Sequence, residues 1–319
     1  MKSLYFLFAL GGLALAGESI ERLDPKFDAL IPPNATVETL CTGFTWAEGP
    51  VWDEANQRLL FSDVRTNTVH QWKEGDTEAG IYLKPAGYSG PNPEKLAECG
   101  ANGLAFDAKG QLVSCEHGDR RISYLTANGG KRTLTDQCDG KRFHSPNDLA
   151  IASNGDVFFT DPPYGLPSRS EKDPASEMDY CGVYRVTPAG KTTLLTKEFS
   201  RPNGIAVSPD GKSLFVGQSA SPAVIKRFPL EAGGSLAKGE VFFDFGKFEN
   251  PRGVPDGFKI DAQGNVFSSG PDGVFVISPE GKLLGRIHTG RGTANVGFGK
   301  GWLYITAQDR VLRVKLTHE

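Results

Sequence analysis

Asn203-Gly204-Ile205-Ala206-Val207, followed by the turn Ser208-Pro209-Asp210-Gly211 and the run Leu214-Phe215-Val216, decides how this chain folds. A polar residue and a glycine open a short apolar strand. An Asp-Gly turn reverses it, and a second apolar strand follows. The same phrase begins at Glu48-Gly49-Pro50-Val51-Trp52, Asn102-Gly103-Leu104-Ala105-Phe106, Asn147-Asp148-Leu149-Ala150-Ile151, Asp256-Gly257-Phe258-Lys259-Ile260 and Asn295-Val296-Gly297-Phe298-Gly299. The six starts are separated by 54, 45, 56, 53 and 39 residues, around the 40–50 residues or so that a four-stranded repeat unit needs.

Asp107-Ala108-Lys109-Gly110, Ser153-Asn154-Gly155-Asp156 and Asp261-Ala262-Gln263-Gly264 supply equivalent turns. Third strands follow at Arg121 to Leu125, Gly182 to Val186, Val224 to Phe228 and Val274 to Ile277. Strands stacked between neighbouring units are buried on both faces, which explains unbroken apolar runs such as Val157-Phe158-Phe159 and Leu303-Tyr304-Ile305. The chain is therefore expected to be all-β, a six-bladed β-propeller over residues 37–319 with a lead-in at 17–36. The segment from Val37 to Phe44 is expected to supply the outer strand that closes the ring. A two-sheet sandwich has no reason to repeat a polar-plus-glycine start six times.

The composition agrees. Thirty-nine glycines and twenty-one prolines are spread along 319 residues without a linker-like cluster. The net charge of −3 and the lack of a basic run exclude nucleic acid as the expected partner. Met1-Lys2-Ser3, the apolar stretch Leu4 to Leu13 and Ala14-Leu15-Ala16 before Gly17 read as a cleaved signal peptide over residues 1–16. The mature protein is expected to be secreted or periplasmic and free of the membrane. Five cysteines, Cys41, Cys99, Cys115, Cys138 and Cys181, match no zinc spacing. Export permits a disulfide, and Cys99 with Cys138 is the expected pair. Asn34-Ala35-Thr36 is a glycosylation sequon whose use depends on a eukaryotic export route.

In a propeller, the innermost strand of each blade lines a central channel. The residues opening the six phrases, Glu48, Asn102, Asn147, Asn203, Asp256 and Asn295, then form one ring. Carboxylates and amide oxygens on one axis suit a hard divalent cation. Two carboxylates facing each other are costly without one. Taken singly, each Asn-Gly or Asp-Gly pair has the alternative reading of an ordinary turn. The ends of the second strands form a second ring of Asp63, Glu116 with His117, Asp161, Gln218, Gly270 and Ala307. One mouth is therefore polar, and it is the expected working face.

Ala47-Glu48-Gly49-Pro50-Val51-Trp52, Ser145-Pro146-Asn147-Asp148, Phe159-Thr160-Asp161-Pro162-Pro163-Tyr164-Gly165, Arg201-Pro202-Asn203-Gly204 and Pro255-Asp256-Gly257 together resemble the gluconolactonase, regucalcin and senescence-marker-protein family. The resemblance implies a six-bladed propeller and a divalent-metal-dependent lactonase. It implies that Glu48, Asn203 and Asp256 ligate the metal, with Asn147 completing the site or contacting substrate through a water. Calcium is the expected ion, with magnesium, manganese or zinc as alternatives. His144 stands where the resemblance implies an asparagine, which points to altered substrate choice.

The expected reaction is the hydrolysis of a small sugar-type lactone by attack of metal-activated water, with Asp256 as general base. Asn102, Glu116, His117, His144, Asp161 and Tyr164 are the expected substrate contacts. No Gly-x-Ser-x-Gly elbow competes, and His70, His288 and His318 fall in strands or the tail. Two alternatives stay open: a non-catalytic propeller that uses a metal as a brace, and a hydrolase of phosphotriesters or aryl esters on the same site.

Overall fold

The computed structural model describes residues 17–248 and 253–318. The expected signal peptide lies outside the described residues. Among the described residues, six antiparallel sheets of at least four strands are arranged as the blades of a propeller. Blade one runs Ala47–Asp53, Arg58–Asp63, Thr68–Trp72 and Gly80–Leu83, and blade two runs Ala101–Phe106, Leu112–Glu116, Arg121–Leu125 and Lys131–Thr135. Blades three and four begin with Leu149–Ile151 and Pro202–Val207 and end with Thr192–Thr196 and Glu240–Asp244. Blade five begins with Phe258–Ile260 and blade six with Thr293–Gly299.

The outermost strand of blade six is Val37–Thr42, from the other end of the chain. It pairs antiparallel with Arg310–Lys315, with Val37 opposite Val314, and so closes the ring as the sequence implied. The lead-in also does more than precede the ring. Ser19–Arg22 adds a fifth strand to blade five, with Ser19 opposite His288. Phe27 and Ile31 are fully buried in a core shared with Phe267, Val274, Val296 and Leu303 of blades five and six. His288 faces Glu21 and Asp272 there, while His70 packs between Phe44 and Phe61.

Second strands Leu112–Glu116, Val157–Asp161 and Val266–Gly270 are buried along their whole length. Each is covered by blades on both sides, which is why their sequences do not alternate. The five cysteines are all unpaired and buried, which corrects the expected Cys99–Cys138 bridge. Cys138 sits in the core between blades two and three with Leu134 and Tyr184. Cys99 Sγ points instead to the carbonyl of Arg65 in blade one. Burial pushes both thiols up.

Candidate active site in the central channel

Three of the glycines that follow ring residues are not there to make turns. Gly103, Gly204 and Gly257 have no left-handed backbone; they bring one blade's inner strand against the next. Gly103 N donates to Asn147 O at 2.8 Å, Gly204 N to Asp256 O at 3.0 Å and Gly257 N to Ala294 O at 2.7 Å. A Cβ at Gly204 would lie 2.5 Å from Asp256 O, and one at Gly257 would lie 2.0 Å from Asn295 Cγ. Any side chain there would push the blades apart and open the ring. Ser62 Oγ and Thr160 Oγ1 tighten the same seams by donating to the carbonyls of Asn102 and Asn203.

The inner strands are also bulged where the ring residues sit. Pairing slips between Glu48 and Val51, between Ala101 and Leu104, between Pro202 and Ile205 and between Thr293 and Asn295. A bulge re-aims the side chain at that point, so the polar residue turns to the channel while the apolar ones after it stay in the sheet.

Glu48, Asn102, Asn147, Asn203 and Asn295 are all buried, and Asp256 is partly exposed. Glu48 Oε2 accepts from Gly49 N at 2.7 Å and from Asn295 Nδ2 at 3.1 Å. Asn203 donates through Nδ2 to Ser219 Oγ at 3.0 Å, which leaves its oxygen pointing the other way. Asp256 is held through its backbone N–H by Ser269 Oγ at 2.8 Å. After these bonds, Asn102 Oδ1, Asn147 Oδ1, Asn203 Oδ1 and Asp256 Oδ1 remain buried acceptors with no donor. Unpaired buried acceptors are uncommon because each costs about 1–3 kcal/mol. Four such oxygens in one channel could meet a cation or the hydroxyl groups of a substrate.

The charges agree. Asp148 and Lys259, which the sequence reading did not single out, extend the channel beyond the ring. Lys259 Nζ lies 3.3 Å from Asp148 Oδ2 and 3.3 Å from Asn295 Oδ1, and Asn295 Nδ2 bridges Glu48 and Asp148. When ionised, Glu48, Asp148 and Asp256 carry three negative charges against the one ammonium. Burial, then the neighbouring Asp148, raises the Glu48 carboxyl above its ordinary range. Burial, then Glu48, Glu98 and Asp148, raises Asp256. A positive charge placed among these carboxyls would favour their ionised forms. Oxygen-only donors with two carboxylates suit calcium or magnesium better than zinc. Beyond Lys259 the channel widens into an apolar space of about 400 Å³ lined by Val51, Leu104, Leu149 and Ile205.

The second ring is corrected. Asp161 is fully buried, and its two oxygens accept from His144 N and Ser145 N at 2.8 Å each. Asp63 does the same for Thr45 N and Trp46 N at 3.0 Å, and Gln218 Oε1 accepts from Ser200 N at 2.9 Å. The same device thus pins the loop entering the inner strand in blades one, three and four. Glu116 turns outward to Arg121, Ser123 and Lys131. His144 is buried, with Nε2 between Ser176 Oγ and Met178 O. Asp161, Glu116 and His144 therefore hold backbone and blade together instead of facing the mouth. Replacing Asp161 by alanine is expected to cost about 1–3 kcal/mol for each of the two orphaned amides. Urea unfolding measures it, and asparagine should recover roughly half.

Besides Asn102 in the ring, two of the expected contacts lie at the site. Tyr164 lies beside Ser219 and Asn203, and burial with the nearby Asp256 pushes its phenol up to about 12. His117 lies against Asn102, 3.3 Å from Nε2 to Nδ2. Glu98, which sits in a loop with no repeat phase, completes this side.

The fold and the oxygen-lined channel define a six-bladed propeller with one polar centre on its axis. The chain belongs to the SMP-30/gluconolactonase/LRE-like family, whose pattern matches residues 46–309. It is 38% identical to a gluconolactonase of Zymomonas mobilis subsp. mobilis, covering 93% of this chain and 85% of that one. A pentonolactonase of Haloferax volcanii is 25% identical over 78% of this chain and 75% of its own. The structure of a gluconolactonase from Xanthomonas campestris superimposes with a TM-score of 0.80 at 32% identity, covering 93% of this chain and 94% of that one.

Proposed function

We propose that this protein opens small polyhydroxylated lactones with the help of one divalent cation, calcium first, held by Glu48, Asn147, Asn203 and Asp256. It is a lactone-hydrolysing enzyme, as its gluconolactonase and pentonolactonase relatives indicate. The observation that carries the finer reading is the group of unpartnered oxygens of Asn147, Asn203 and Asp256 in a channel with excess negative charge. A divalent cation bound there supplies Lewis-acid polarisation of the lactone carbonyl.

Asp256 is our candidate for the base, since it alone among the ring residues is partly exposed. It takes a proton from the attacking water as the oxygen joins the carbonyl carbon. The ring C–O bond then breaks, and the proton returns to the departing alkoxide, giving a hydroxy acid. Asn102 and Tyr164 contact the substrate, and Ser219 and Ser269 hold Asn203 and Asp256 in place.

A site lined by Asn102, Tyr164 and Asp256 leaves polar groups unpaired when an alkyl lactone binds, at about 1–3 kcal/mol each. An aldonolactone is therefore expected to exceed an alkyl lactone of equal ring size by at least about tenfold in kcat/KM with the same cation. Equal values would reject the sugar-lactone assignment. Export through residues 1–16 belongs to the same proposal, and amino-terminal sequencing of the mature protein should begin at Gly17. No helix among the described residues is long and apolar enough to cross a membrane.

A further inference from the structure

Asn102 differs from the other amides of the ring in how its orientation is fixed. Its Nδ2 lies 3.3 Å from His117 Nε2, and its Oδ1 is buried without a donor. The carboxamide can direct its oxygen into the channel only while His117 Nε2 accepts a hydrogen bond, which requires that nitrogen to be bare. In a neutral imidazole the proton must then sit on Nδ1.

Glu98 lies on that side. Its Oε2 is 3.4 Å from His117 Nδ1, outside close hydrogen-bond distance yet near enough for its charge to act on the ring. A bare Nδ1 lone pair facing a carboxylate is repelled, whereas an N–H there is attracted, so Glu98 selects the Nδ1–H tautomer. Glu98 is itself positioned. Arg169 Nη2 binds its Oε1 at 3.1 Å, with Arg65 3.9 Å away. The ring of His117 cannot drift: it is about 1% exposed, and its backbone N–H donates to Gly100 O at 3.1 Å. Gly165, next to Tyr164, closes over the pair, since a Cβ there would lie 2.9 Å from His117 Cβ and 3.2 Å from Glu98 O.

We infer that Glu98 and His117 form a positioning relay. Glu98 fixes the tautomer of His117, and His117 holds the Asn102 amide with its oxygen aimed into the channel as an acceptor for a lactone hydroxyl. Neither residue touches the reacting atoms. If the ring carried its proton on Nε2, Asn102 would turn over and present N–H groups to the channel in place of an acceptor oxygen.

The inference about substrate rests on the proposed function, but the tautomer does not, so the two are tested separately. Long-range ¹H–¹⁵N spectra of histidine-labelled protein at neutral pH report which ring nitrogen carries the proton, with the His117 signal assigned by its loss in His117→Gln. A protonated Nδ1 with a bare Nε2 is expected. A bare Nδ1 or a doubly protonated ring would overturn the relay whether or not the protein hydrolyses lactones.

The kinetic arm uses an aldonolactone. His117→Phe keeps a planar ring but no acceptor, and should raise KM about tenfold while kcat changes much less, as for one misdirected buried hydrogen bond. His117→Gln can still accept from Asn102 through Oε1 and should recover most of that loss. An unchanged KM in His117→Phe, or equal losses in Phe and Gln variants, would refute the relay. If His117→Phe does not fold, Glu98→Gln removes the selecting charge. It should raise KM severalfold, and an unchanged KM there refutes the relay as well.

Discussion

Asp256→Asn is expected to lower kcat by about 10²–10⁴-fold, the range for losing a general base, without lowering the thermal midpoint of the chelator-treated protein. The substitution keeps the side-chain shape and the backbone bond to Ser269 Oγ. It removes a carboxyl whose proton affinity is raised by burial and then by Glu48, so the repulsion across the channel falls. Steady-state kinetics and melting curves on the same preparation check both halves. Turnover near that of the parent would remove Asp256 from the base role. A collapse in stability would make it a structural residue.

Chelator-treated protein is expected to lose stability as pH rises, and calcium should restore it. Glu48 and Asp256 both have carboxyls raised in the folded state above ordinary values of 4.5 and 3.8. A folded state that holds its protons more tightly than the unfolded chain is favoured at low pH. That contribution is fully present below those ordinary values and is lost as pH climbs through the raised folded values. Cation binding, which needs the carboxylates, strengthens over the same interval. Free calcium at a hundred times its dissociation constant should then stabilise the fold by about 2.7 kcal/mol. Glu48→Gln should weaken calcium binding in a calorimetric titration, shrink the calcium-induced rise in melting temperature and flatten the pH dependence. Unchanged calcium affinity in that variant would move the cation away from the channel.

Much of this molecule was legible in its sequence because a propeller writes one phrase repeatedly. The phase of the phrase located Glu48, Asn102, Asn147, Asn203, Asp256 and Asn295 on one axis, and Val37 to Phe44 was identifiable as the closing strand. Periodicity misassigned the ends of the second strands. Asp161 and Glu116 have the ring's phase, but a side chain's partner depends on what lies opposite. For Asp161 these are the amides of residues 144 and 145, and for Glu116 the basic groups of its own blade.

The sequence by itself determined the repeat, the inner-strand register and the oxygen chemistry of the channel, because strand alternation and blade spacing are local properties. Only the tertiary structure decided that Gly103, Gly204 and Gly257 serve close approach between blades and not turns, since a missing Cβ has meaning only beside a neighbour's carbonyl. It alone brought Lys259 to Asp148 across 111 positions of chain, and Glu98 to His117. Those pairs join different blades or loops outside the repeat, where distance in space is set by closure of the ring and leaves no periodic trace along the chain.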